Sequence, residues 1–219
     1  MKKLVITGHN SNIVKYFIDI VNKNENIEII KCGRCQNSDI FVDFNSLSST
    51  SNFIEKINKL DPSHFLICHG VLLGKKIKDI SELEYKNSVA VNMSSIIFIL
   101  EALTEMRSVN SLVVSSISGK KGSYDNLYAA SKAGVDLSVN TISKQLDSGS
   151  RLNAVAPGII SDSKMTLQRK DVKNLEKILD SIPTKKFSSA IEVAELIYFV
   201  MFKTINVNGS IIDINGGHY

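Results

Sequence analysis

At 219 residues, 43% of them hydrophobic and 22% charged, the chain suits one globular domain and excludes disordered and fibrous classes. Its net charge of +4 is carried by scattered lysines, which argues against a nucleic-acid groove and fits small anionic molecules better. The apolar start breaks off at Thr7, and the most apolar stretch, residues 96–100, is far short of a bilayer span, so a cytoplasmic chain with no membrane partner is expected.

In chain order, residues 3–7 are a short apolar run closed by Gly8 and read as a buried strand. Residues 13–21 place apolar side chains at helical spacing, 27–31 and 40–43 read as strands, and 53–60 as a helix. Residues 65–68 are a fourth strand, followed by Gly70. A long helix is expected over 89–105, a strand over 111–115, a helix over 128–145, and a strand over 152–156 stopped by Pro157-Gly158. A helix over 191–202 and a strand over 210–214 complete the series. Short strands apolar on both faces, alternating with helices, predict an α/β fold: one domain over residues 1–219, a doubly wound, Rossmann-like parallel sheet covered on both faces. Ligands of such sheets bind outside the carboxyl ends of the strands, so function is sought just after each strand.

After the first strand comes Thr7-Gly8-His9-Asn10-Ser11-Asn12-Ile13-Val14. Two readings stand for it: a turn whose backbone N–H groups face a pyrophosphate, or an ordinary strand-to-helix turn capped by Asn10 or Ser11. Further on, Ser115-Ser116-Ile117-Ser118-Gly119 closes a strand, and Tyr128 opens a helix twelve positions after Ser116. Tyr128 and Lys132, at i and i+4, share one face of that helix. A lysine charge beside a phenol lowers its pKa, and a nearby serine hydroxyl can hold a substrate oxygen, so the three make an acid–base set for a carbonyl. Three cysteines are too few, and odd in number, for a disulfide framework. Cys32 and Cys35 form a C-x-x-C but lack two further placed ligands, and His9, His69 and Cys68 fall near strand ends in the same crevice, so no metal is expected.

With these motifs in place, the chain resembles the short-chain dehydrogenase/reductase family from end to end, and its 3-oxoacyl-[acyl-carrier-protein] reductase-like members in particular. Thr7-Gly8 with Ser11 and Ile13 looks like the family's TGxxxGxG turn, with Asn12 and Val14 where its second and third glycines stand. Ile67-Cys68-His69-Gly70 occupies the place of its NNAG segment, with His69 for a small alanine, and Val91-Asn92 that of its helix asparagine. Ser115-Ser116 with Gly119, and Tyr128 with Ser131-Lys132, match the serine and YxxSK motifs. Residues 151–160, with Pro157, Gly158 and Ile160, resemble RVNAVAPGxI, and 208–217 resemble the TGQxIxVDGG ending.

The resemblance implies that Tyr128 protonates a carbonyl oxygen as hydride arrives from a nicotinamide, Lys132 lowers its pKa and binds the ribose, Ser116 polarises the carbonyl, and Asn92 holds a relay water. Ser115 is the alternative to Ser116. The cofactor-binding set it implies is Gly8, Asn10, Ser11, Asn12, Ile13, Arg34, Asp43, Phe44, His69, Gly70, Tyr128, Lys132, Pro157, Gly158 and Ile160. Lys31-Cys32-Gly33-Arg34 resembles the family's NADP-type ending, and a basic residue after strand two pairs with a 2′-phosphate, so NADP(H) is expected rather than NAD(H). Asp43-Phe44 looks like the pair that holds the adenine. The departures at Asn12, Val14 and His69 leave a non-catalytic binding or regulatory relative as the alternative function.

Residues 161–183 lie where the family has its substrate lid and carry Lys164, Arg169, Lys170, Lys173 and Lys177; Lys120 and Lys121 follow the catalytic serine. The expected partner is a small carbonyl or alcohol substrate, with an anionic one, such as an acyl-carrier thioester or a sugar-pathway intermediate, accommodated by these cations. The helices over 89–105 and 128–145 are apolar on more than one face, which predicts a homodimer or homotetramer packed through them.

Overall fold

A computed structural model describes residues 1–168 and 172–219 of the chain. Two of the expected lid cations, Arg169 and Lys170, and the side chain of Lys173 lie outside the described residues.

The first half runs β1 (Lys2–Thr7), α1 (Asn12–Asn24), β2 (Ile27–Gly33), β3 (Ile40–Phe41), α2 (Leu47–Leu60), β4 (His64–Ile67), α3 (Glu82–Val89) and α4 (Ser95–Ala102). The second runs β5 (Asn110–Val114), α5 (Ser118–Lys121), α6 (Asn126–Ile142), β6 (Arg151–Pro157), α7 (Lys164–Leu167), α8 (Val172–Ser181), α9 (Ala190–Tyr198) and β7 (Ile211–Ile214). Among the described residues the strands form one sheet in the order β3-β2-β1-β4-β5-β6-β7, every neighbour parallel. The chain order reverses between β1 and β4, and a crevice opens at their carboxyl ends.

Side chains alternate across each strand, so one strand feeds two cores. Leu4 and Ile6, with Leu66, Leu112 and Val155, pack under α1 and α9; Val5, with Phe65, Ile67, Val113 and Ala154, packs under α2, α4 and α6. This two-sided burial is why the strands read as continuous apolar runs.

Element boundaries differ from the sequence reading where polar residues hide the helical period. Helix α2 starts at Leu47, six residues before the expected start, capped by the Ser46 side chain on Ser49 N–H; its buried stripe is Thr50, Phe53 and Ile57, and the polar Thr50 masks the first turn. The long helix begins at Glu82 rather than 89, behind a capping box in which Ser81 and Glu84 bond each other's backbone N–H, and a π turn over Ala90–Ser94 joins α3 to α4. The sequence reading passed over α5, α7 and α8. Taken as one helix, Glu82–Glu105 is long and apolar enough to cross a membrane by length and composition alone. Its Val91, Ile96, Ile99, Leu100 and Leu103 are buried against the sheet and α6, which accounts for that apolarity as a core helix.

His64 and His69 are buried within this frame. His64 stacks on Phe202 and contacts Ser63 Oγ at 2.9 Å; burial pushes its pKa down to about 4. Burial pushes His69 down to about 3. Both are neutral in the fold and ordinary in the unfolded chain, so stability is complete above about pH 6.5 and falls as acid drives protons onto the unfolded state. We expect a loss of about 2 kcal/mol per histidine by pH 5, seen as a falling midpoint in urea unfolding, with the fall reduced in His64→Gln.

Candidate active site

One cavity of about 740 Å³ follows the carboxyl ends of the strands from Arg34 to His218. Its first wall is the turn after β1. Gly8 has φ +70°, and a Cβ there would stand 2.4 Å from the Cys68 carbonyl oxygen, so only glycine lets β1 and β4 run this close. Ser11 caps α1 by accepting from Val14 N–H at 3.2 Å, and the helix start presents its first N–H groups, which have no intrahelical partner. This cradle suits a pyrophosphate.

The two positions that depart from the glycine pattern sit without backbone strain, since neither has positive φ. Asn12 donates from Nδ2 to the Asp162 carbonyl at 2.6 Å, and Asp162 Oδ1 accepts from Ala190 N–H at 2.8 Å. The turn is thereby tied to the segment entering the lid and to the start of α9. Val14 is fully buried in the α1/α9 core.

At the far end of this wall, Arg34 pairs with Asp43 at 3.5 Å while remaining 57% exposed. Asp43 Oδ1 also accepts from the backbone and side chain of Asn45. Phe44 is packed in the core, stacked on His69 at 3.7 Å and edge-on to Phe53. His69 is in turn fixed between Thr7 Oγ1 at 2.8 Å and Ser95 Oγ at 3.1 Å. His9 contacts Cys32 O at 3.4 Å and Asn37 Oδ1 at 3.2 Å. Burial pushes the Cys32 thiol up to about 12 and raises Cys68 as well, which keeps both protonated. Among the described residues no cluster of three His, Cys, Asp or Glu could hold a metal ion.

The opposite wall carries Ser116, Tyr128 and Lys132, with Pro157, Gly158 and Ile160 beyond them. Lys132 Nζ donates to the Val114 carbonyl at 3.0 Å and lies 5.7 Å from the centre of the Tyr128 ring. Burial pushes Lys132 down to about 8. Burial also pushes Tyr128 up to about 12, against a hydrogen bond with Ser116 that lowers it. The phenol is thus raised, where the lysine charge was expected to bring it down: desolvation is the largest cause and keeps the proton on the oxygen. Ser115 also lines the cavity but acts on Asp136, while Ser116 bonds the phenol, which favours Ser116 as the hydroxyl beside it.

Asn92 stands apart from this group. It is fully buried, with Oδ1 accepting from Val71 N–H at 2.8 Å and Nδ2 donating to the Val71 carbonyl at 2.8 Å and to Ser88 Oγ at 3.1 Å. Its side chain holds the segment after β4. The sequence reading missed Asp125, a fully buried carboxylate. It accepts from Tyr128 N–H at 3.0 Å as the cap of α6, and from Gly74 N–H at 3.1 Å. An Asp three residues before the tyrosine was the available signal, as a helix cap. Residues Tyr124, Ile178 and His218, which close the far end of the cavity, carried no signal at all.

Comparison with known proteins places this geometry. Residues 37–218 match the family model described as enoyl-(acyl carrier protein) reductase. An acetoacetyl-CoA reductase of Synechocystis sp. is 29% identical over 78% of this chain and 75% of its own length. A (3R)-3-hydroxyacyl-CoA dehydrogenase of Canis lupus familiaris is 31% identical over 72% of this chain, a match that spans 63% of that protein. Among solved structures, a short chain dehydrogenase family protein from Francisella tularensis superposes with a TM-score of 0.86 at 20% identity, covering 100% of this chain and 98% of the other. The chain belongs to the short-chain dehydrogenase/reductase family of oxidoreductases.

Asp125→Ala removes a buried acceptor from two backbone donors. We expect it to cost about 1–3 kcal/mol in urea unfolding, and to lower turnover through a loosened Tyr128.

Proposed function

We propose that the protein transfers hydride between NADP(H) and a small carbonyl or alcohol substrate, with Tyr128 as the proton donor and acceptor. The observation that carries this is the placement of the Tyr128 phenol, the Ser116 hydroxyl and the Lys132 ammonium on one partly buried wall, facing the phosphate cradle across the cavity. A bound nicotinamide supplies the hydride. Gly8, Asn10, Ser11, Asn12 and Ile13 would hold its pyrophosphate, and His69 and Gly70 flank the dinucleotide path with Pro157, Gly158 and Ile160 at its far end. Asp43 would steer Arg34 toward a 2′-phosphate, and Phe44 would back the adenine site from the core.

Within this set Ser116 orients the substrate oxygen toward the phenol, and Tyr128 gives that oxygen its proton. The buried phenol holds its proton until a strong base develops beside it, which suits the reductive direction. Lys132, near half-protonated around pH 8, is placed to restore charge balance behind it and to hold the ribose hydroxyls. Asn92 fixes the Gly70–Val71 wall and so positions this group. The names of the relatives favour a 3-oxoacyl thioester as substrate.

The exposed Phe98 and Leu137, at 44% and 70%, lie on the α4/α6 face, and we propose that two or four copies associate there in the cytoplasm. Light scattering at micromolar concentration should give a dimer or tetramer, and a monomer would remove that part of the proposal.

Two enzymological outcomes are expected. Tyr128→Phe should lower kcat roughly 10²–10⁴-fold while leaving NADPH affinity nearly unchanged. Arg34→Ala should weaken NADPH binding about tenfold or more, with little effect on NADH, as titration by nucleotide fluorescence would show. Equal affinity of the native protein for both nucleotides would overturn the NADP(H) assignment.

A further inference from the structure

Past Tyr128 the cavity continues to a second polar group, formed by Lys121 at the end of α5 and His218 in the C-terminal tail. Lys121 Nζ lies 2.6 Å from His218 Nε2, and Ser181 Oγ of α8 lies 3.3 Å from the same nitrogen. Both residues line the cavity, together with Tyr124 and Ile178.

The pair is unusual in its charge balance. The neighbouring Lys120 is neutralised by Asp213 at 2.5 Å. Among the described residues no carboxylate makes an ion pair with Lys121. Burial lowers the Lys121 pKa; burial and then the Lys121 charge lower His218. Lys121 is exposed at the rim of the cavity, beside a second basic group and with no carboxylate partner among the described residues, an arrangement that suits an anion.

The tail that brings His218 here is built for the position. Gly216 has φ +66°, and a Cβ on it would collide with the side chains of Thr184 and Ile182, so glycine lets the tail turn against this segment. Asn215 then accepts from Gly217 N–H through Oδ1 at 2.8 Å and from His218 N–H through its carbonyl at 3.2 Å. Gly158 N–H donates to the Ile214 carbonyl at 2.9 Å, tying the same tail to the turn after β6. The histidine is therefore fixed relative to the reaction wall.

We infer that Lys121 and His218 form an oxyanion subsite of the cavity, which takes a carboxylate or phosphate group carried by the carbonyl substrate or by its carrier. This rests on the reductase reading above. Lys121 donates one N–H to His218 and keeps two for the anion, and with Nε2 accepting, the histidine proton resides on Nδ1. The bound oxygens would restore the ammonium charge that burial opposes.

The test uses matched pairs: 3-oxobutanoate against its methyl ester, and dihydroxyacetone phosphate against dihydroxyacetone. Binding is measured by calorimetry on the full chain with NADP⁺, and turnover with NADPH, for the native protein, Lys121→Met and His218→Asn. The native protein should favour at least one anion over its neutral partner by about tenfold or more, and the pair that shows the preference distinguishes carboxylate from phosphate. Each variant should collapse that ratio toward one. The subsite is overturned if neither anion is preferred, or if the variants weaken the charged and neutral members alike. Anion binding that depends on Lys121, without turnover of any carbonyl, would keep the subsite and overturn the reductase reading.

Discussion

The crevice exists because β1 and β4 run side by side while the chain leaves them in opposite directions, and the tightest point of that arrangement is Gly8 against the Cys68 carbonyl. A side chain at residue 8 would collide with backbone, which cannot yield, and the turn, the start of α1 and the segment after β4 would all shift. From this contact the walls follow. Thr7 binds His69 and accepts from Cys68 N–H, His69 binds Ser95, and Asn92 binds Val71, so β1, β4 and the long helix are locked at the level of the cavity floor.

The reaction wall depends on burial more than on pairwise charge. Lys132 and Tyr128 are both pushed toward their neutral forms, the one down to about 8 and the other up to about 12. Burial thus sets the protonation of both groups, holding the phenol neutral and easing loss of the ammonium proton. Asp125 adds the mechanical part, joining the first turn of α6 to the Gly74 loop so that the tyrosine backbone cannot drift.

The departures from the glycine pattern of the family take on a different meaning in three dimensions. Asn12 uses its side chain to hold Asp162 at the lid entrance, and Val14 fills the core beneath α9. Asn12 is accommodated by a contact 150 residues away in the chain and Val14 by the still more distant α9, and positions so dependent on distant partners cannot be judged from the turn alone. His69 likewise has a reason: it links Thr7 to Ser95 and stacks on Phe44, a space that alanine would leave unfilled.

The sequence by itself determined the parallel sheet, because strands buried on both faces show apolar residues in succession rather than in alternation, as Leu4-Val5-Ile6 and Ala154-Val155-Ala156 do. It also determined the Tyr128–Lys132 pairing, since helical geometry puts i and i+4 on one face whatever surrounds them. Tertiary structure decided what depends on contacts between distant segments. The boundary of α2 was obscured by a buried Thr50, the side chain of Asn92 bonds the Val71 backbone, and the phenol pKa followed from desolvation rather than from its neighbour in the motif. The meeting of Lys121 with His218 across 97 residues could not be read from the chain, because local pattern carries no information on which loop ends converge at a strand terminus.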